Sequence, residues 1–161
     1  MELAGVDEAM AEAEQVLARA REAGTPVVHI AHDAGLGSLY DVQAENGKIA
    51  SQVAPLSGEP TVVKNFPNAF AKTDLHERLQ DLKLGNLIVI GFMTHMCVSS
   101  TARGAFDLGY RTTVVGNATA TRDLPTADGQ VLKAASLREA ALAGLSDLVA
   151  TVVKTANDLP A

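Results

Sequence analysis

Cysteine occurs once in the 161 residues, at position 97. A single thiol excludes an internal disulfide framework, so Cys97 is either a small buried hydrophobe or a reactive group. Long hydrophobic runs are also lacking, since none approaches the roughly 20 apolar residues that a membrane-spanning helix needs. Basic residues are in deficit, 13 against 19 acidic ones, for a formal charge of −6. That balance repels nucleic-acid phosphates and anionic lipid surfaces, so neither nucleic acid nor membrane is expected as a partner. The patterns G-x-G-x-x-G, G-x-x-x-x-G-K-[ST] and G-x-S-x-G are missing too, which sets aside dinucleotide, P-loop and serine-hydrolase readings. The opening residues MELAGVDEAM contain neither a basic region nor an apolar core of the secretory kind, and the expected location is the cytoplasm.

What is present is an ordinary globular composition, 47% hydrophobic and 20% charged, with no internal repeat, low-complexity tract or linker. One domain over residues 1–161 is expected. Apolar residues at Val6, Met10, Ala13, Leu17 and Ala20 predict a helix ending before Gly24 and Pro26. Short apolar runs at 27–31, 61–63, 87–93, 112–115 and 150–154 predict strands. The run at 87–93 has no alternation and reads as a strand covered on both faces. Further helices are expected over 73–82 with Thr73 as N-cap, from about Cys97 to Leu108, and over 129–148. Residues 35–60, with four glycines and two prolines, form a long excursion and a candidate lid. Strands alternating with helices imply an α/β fold with a parallel sheet and helices on both faces.

In such a sheet ligands bind outside the C-terminal strand ends. Here those ends carry His32 and Asp33, Lys64 and Asn65, Thr94, His95 and Cys97, and Asn117. Cys97 falls where a strand gives way to a helix, a position that favours the nucleophilic thiolate. Lys64 ends a buried strand and needs an anionic partner unless it snorkels to water. His95 is either an acid or base beside Cys97 or a lining residue. His29 and His32 are not expected to share a metal, because residues three apart on a strand point to opposite faces.

The stretch from Val89 to Arg103, V-I-G-F-M-T-H-M-C-V-S-S-T-A-R, resembles the nucleophile signature of isochorismatase-like cysteine hydrolases. In that family a strand ends Gly-x-x-Thr-x-x-Cys-Val and the helix continues to Thr-Ala and Ala-x-x-x-Gly-Tyr, matched here through Tyr110. Lys64 to Leu75 is similar to the family's lysine segment, K-x-x-x-x-A-F-x-x-T-x-L. The similarity runs from Val6 to about Thr155. It implies a three-layer αβα, Rossmann-like fold with a doubly wound, mostly parallel sheet of six strands. The resemblance also implies a first central strand that carries the family's aspartate, and no counterpart of it is expected in this chain. Asp33 is the candidate substitute base.

The resemblance further implies that Cys97 attacks the carbonyl of an amide-type C–N bond in a small polar molecule, with Lys64 beside it. Backbone N–H groups of Met93 and Cys97 would form the oxyanion hole, with a cis peptide between Phe92 and Met93. Ammonia or an amine leaves, and water releases the acyl group from the thioester. Phe66, Phe70 and His95 would line the substrate pocket, and Asn117 would be structural. No cofactor and no metal are implied, since the nicotinamidase Asp-x-His pattern is not reproduced near His29 to Asp33. A homo-oligomer is expected. The alternative is a catalytically inactive relative used for binding or assembly.

Overall fold

The structure, a computed structural model, describes residues 2–160. Val6–Glu22 forms α1, with Asp7 and Glu8 in its first turn and Arg19 and Arg21 in its last, as the helix dipole favours. Its buried stripe is Ala9, Ala13, Val16 and Leu17. His29–His32 forms β1, two residues later than the apolar run suggests, because pairing begins where the His29 N–H donates to the Pro60 carbonyl at 2.9 Å. Thr61–Lys64 forms β2, parallel to β1 in a register that sets His32 opposite Lys64.

Leu75–Asp81 is α2. The Thr73 N-cap is corrected: Asp74 holds that place, while the Thr73 hydroxyl donates to the Ala69 carbonyl at 2.5 Å and accepts from the Leu75 N–H at 3.3 Å. Asn86–Phe92 is β3, Ser99–Asp107 is α3 and Arg111–Ala120 is β4. Next come the two short antiparallel strands Leu124–Pro125 (β5) and Val131–Leu132 (β6), then Ala134–Ser146 (α4) and Ala150–Val153 (β7). The helix expected from Gly129 therefore starts at Ala134. Gly129 instead turns the hairpin at φ 81°, and the Asp123 carboxylate accepts from the Ala134 N–H at 2.8 Å, marking where the helix begins.

Side-chain alternation along the strands divides the molecule into layers. Val115 and Val153 pack with Ala13 and Val16 of α1 and with Leu159, whereas Val114 and Val152 pack with Ala102 of α3 and Leu142 and Leu145 of α4. Val62 and Leu87 face Leu75 and Leu79 of α2. The result is an αβα sandwich with parallel pairing β1-β2 and β3-β4-β7. Among the described residues no strand joins β1 to β3, the position between the two parallel groups. The reading of β3 as covered on both faces holds at Val89 and Ile90, which reach opposite clusters, and fails at Ile88, which is 46% exposed.

The 35–60 excursion is a chain of turns with short 3-10 segments at Glu45–Gly47 and Ser51–Val53. Buried Asp41 organises it, its carboxylate accepting from the Gly37 and Gln43 N–H groups at 2.8 and 2.9 Å. A Cβ on Gly47 would fall 2.0 Å from the Asp41 carbonyl oxygen. Gly47→Ala must therefore displace backbone, and a stability loss of about 1–3 kcal/mol is expected from such overpacking. The urea midpoint checks it.

At the N-terminal ends of β1 and β2, Glu59 accepts from Arg21 Nε and Nη2, both at 2.7 Å, from His29 at 2.8 Å and from the Leu56 N–H at 2.8 Å. The Arg21 hydrogen bond, helped by those of Leu56 and His29, holds the Glu59 carboxyl far below the usual carboxylate range despite its partial burial. A carboxyl depressed by folding stabilises the native state above its unfolded pKa of about 4.3, and that stabilisation is lost as the pH falls toward the folded value. Glu59→Gln is accordingly expected to lower the melting temperature at neutral pH. The gap between variant and wild type should shrink steadily when the scans are repeated from about pH 5 to about pH 2.

Candidate active site

Cys97 lies on a π-helical turn, Thr94–Val98, that links β3 to α3. The sequence predicted an ordinary helix start here; the wider turn is of a kind that recurs at functional sites. Two features hold it in place. The fully buried Thr94 hydroxyl donates to Thr119 Oγ1 at 3.0 Å, and the Thr119 hydroxyl donates in turn to the Gly116 carbonyl at 2.8 Å. Thr119 reaches this position because the β3–β4 register slips: Val89 pairs with Val114, yet Gly91 pairs with Thr119. The preceding Phe92-Met93 peptide is cis, at the bond where the resemblance places it.

Lys64, at the end of β2, is only 4% exposed. Its ammonium nitrogen stands 3.2 Å from Cys97 Sγ, 2.9 Å from the Phe66 carbonyl oxygen and 3.0 Å from His32 Nδ1. The segment after Lys64 is docked on α3, where Thr101 Oγ1 accepts from the Ala69 N–H at 3.1 Å. Asn68 fills the space left by Gly104: a Cβ there would lie 2.4 Å from the Asn68 amide nitrogen. The two sequence motifs are thus in physical contact, which fixes the lysine against the cysteine.

The other candidates take varied positions. Phe66 faces the pair through its backbone carbonyl, while the residue is 42% exposed and its ring lies under the Lys72 ammonium at 5.1 Å. Phe70 stacks on Tyr110 at 5.8 Å and packs against the α2 cluster. His95 Nδ1 bonds Thr121 Oγ1 at 2.5 Å; burial, then nearby Arg122, push its pKa below the ordinary histidine value. Asp33 continues β1 through its N–H to the Lys64 carbonyl at 2.8 Å, and its carboxylate accepts from the Gly35 N–H at 3.0 Å. Asn117 ties β4 to its neighbours, donating its N–H to Lys154 and accepting from Arg138 through Oδ1. His29 and His32 part company as their spacing predicts, the first to Glu59 and the second to Lys64.

The sequence sets His32 at a strand end without a role, and gives no signal that Tyr40, Thr119 or Thr121 belongs to this neighbourhood. His32 arrives through the β1–β2 register, and Tyr40 through the loop, its ring set edge-on to the His32 ring at 5.3 Å. Burial, then the Lys64 charge, lower the His32 pKa, with Asp33 opposing. No helix of the described residues is long and apolar enough to cross a membrane.

Comparison with known proteins gives a consistent picture. A family model described as the isochorismatase domain matches residues 1–157. The chain is 34% identical to an uncharacterized isochorismatase family protein, YddQ of Bacillus subtilis, over 96% of this chain and 87% of that protein. It is 35% identical to a streptothricin hydrolase of Streptomyces noursei, over 88% of this chain but 52% of the relative. Among solved structures, an isochorismatase from Pseudomonas putida superposes with a TM-score of 0.93 at 43% identity, covering 98% of this chain and 81% of the other.

Proposed function

This chain belongs to the isochorismatase family, and we propose that it is a cysteine hydrolase that cleaves an amide-type C–N bond in a small polar molecule. The observation that carries the reading is the approach of the buried Lys64 ammonium to Cys97 Sγ, 3.2 Å, at converging strand ends. The ammonium there is a hydrogen-bond donor and counter-charge for the sulfur, the atom assigned to attack the carbonyl carbon. Relatives named as a nicotinamidase and a maleamate amidohydrolase support the bond class.

In this reading the sulfur adds to the carbonyl carbon, and the carbonyl oxygen takes up negative charge facing the backbone N–H groups of Met93 and Cys97. Collapse breaks the C–N bond. The nitrogen takes a proton and departs as ammonia or an amine, leaving a thioester on Cys97. Water then adds to the thioester, giving the carboxylic acid and restoring the thiol. Asp33 is the carboxylate assigned to carry these protons, through the oxygen that does not accept from the Gly35 N–H. Phe66, Phe70 and His95 are proposed to bound the substrate space. A cytoplasmic location and assembly of like subunits complete the proposal; Leu36 and Leu39, 92% and 62% exposed, are apolar groups that assembly would cover.

The inner edges of β1 and β3, which pair with no strand among the described residues, favour the alternative of a binding or assembly protein without turnover. Ammonia release from a panel of small primary amides separates the two. Turnover by the wild-type chain, absent in Cys97→Ala, supports the hydrolase. Binding of a panel member that is unchanged by Cys97→Ala and is followed by no release supports the alternative.

A further inference from the structure

An ammonium group has three N–H donors and no acceptor. Lys64 has three partners within hydrogen-bonding distance: Cys97 Sγ, the Phe66 carbonyl oxygen and His32 Nδ1. The first is the proposed nucleophile and the second is fixed backbone. The third is a side chain brought alongside by strand register, His32 being the direct cross-strand neighbour of Lys64. With Lys64 charged, Nδ1 has to accept, which places the ring proton of a neutral His32 on Nε2.

We infer that His32 is a positioning residue, whose Nδ1 accepts a hydrogen bond from one N–H of the Lys64 ammonium and thereby aims another N–H at Cys97 Sγ. The inference rests on the roles proposed above for Lys64 and Cys97. Two physical consequences follow. A lysine head on four rotatable bonds keeps one orientation only when its donors are occupied, because each unmade bond in a buried place is costly. Protonation of His32 also converts Nδ1 into a donor and sets a second positive charge 3.0 Å from the first. The contact must then open and the lysine leave its line to the sulfur.

The groups facing His32 are few. Lys64 on β2 is in contact, Cys97 on the π-helical turn lies beyond it, Asp33 follows on the same strand and Tyr40 presents its ring from the loop. Burial and Lys64 both disfavour the imidazolium. The neutral form, and with it the aligned lysine, therefore holds at neutral pH and is lost on acidification below the ordinary histidine range.

The chain has a single cysteine, so its alkylation by iodoacetamide reports on Cys97 alone. The second-order rate is measured from about pH 5 to about pH 9 for wild type, His32→Leu and His32→Asn. His32→Leu removes the acceptor and is expected to slow alkylation about tenfold at pH 7.5, the order of one lost bond to a charged group. In His32→Asn the amide oxygen can stand near the Nδ1 position and does not titrate. This variant is expected to recover most of the rate lost in leucine and to lose the acid limb that protonation of histidine adds to the wild-type profile. A structural role alone would give neither the rescue nor the altered profile. Should His32→Leu not fold, the asparagine profile decides alone, and an acid limb identical to wild type overturns the inference. Alkylation of a folded His32→Leu at the wild-type rate across the range overturns it as well. Because the readout is thiol reactivity, these outcomes are distinct from failure of the hydrolase reading, which shows as wild type releasing no ammonia.

Discussion

Lys64→Met is expected to reduce kcat/KM for amide hydrolysis about 100-fold, the order set by losing a hydrogen bond to a charged group worth about 1.5–3 kcal/mol at the reacting atom. Methionine nearly matches the lysine stem in length and is apolar, so the substitution takes the charge away from a site that is 4% exposed without leaving a large void. Two effects on stability then oppose each other. The cost of holding an ammonium out of water is relieved, while the Phe66 carbonyl and His32 Nδ1 lose their donor. The melting temperature is therefore expected to move by no more than a few degrees while the rate collapses. A variant that loses activity and melting temperature together would point to a lysine that merely holds β2 in place. Steady-state kinetics alongside a thermal scan makes the distinction.

Cys97→Ser should produce the largest loss of any single substitution, on the order of 10³-fold or more in kcat, with KM changed far less. A hydroxyl fits the same space but is not ionised near neutral pH, and a neighbouring ammonium is no substitute for a base that could remove its proton. The Thr94–Thr119–Gly116 hydroxyl chain that anchors the turn does not involve the sulfur, so the fold around position 97 should persist. Substrate binding measured by calorimetry is expected to survive in this variant. Loss of binding in step with loss of turnover would instead make Cys97 a packing residue.

Much of this architecture is legible in the amino-acid pattern, and the parts that are not have definite physical causes. The α1 boundary, β2 and β7 follow from local signals: a charge gradient that suits the helix dipole, a Gly and Pro stop, and short apolar runs. The start of α4 was misplaced by five residues, because periodicity alone does not reveal that Val131 and Leu132 pair with Pro125 and Leu124. The exposure of Ile88 follows from which elements cover that end of β3, a tertiary fact that the apolar run does not encode.

At the site, the cysteine and lysine were legible because each sits in a motif of fixed spacing. The contacts that orient them were not. His32 depends on the β1–β2 register, Thr119 on a slip between Val89 and Gly91, and Tyr40 on the course of a loop without periodicity. Phe70, part of the lysine motif, stacks its ring on Tyr110 in the cluster beneath α2, a contact that the motif does not encode.

In the proposed cycle a covalent bond to sulfur forms and breaks at each turnover. Intact-mass spectrometry of the chain, acid-quenched during turnover of an amide it hydrolyses, tests this most directly. The account predicts a transient mass increase equal to the substrate less its departing amine, located on the peptide containing Cys97 and discharged by hydroxylamine. Continued turnover by a chain whose only thiol has first been fully alkylated, with no acyl mass ever detected, would contradict it.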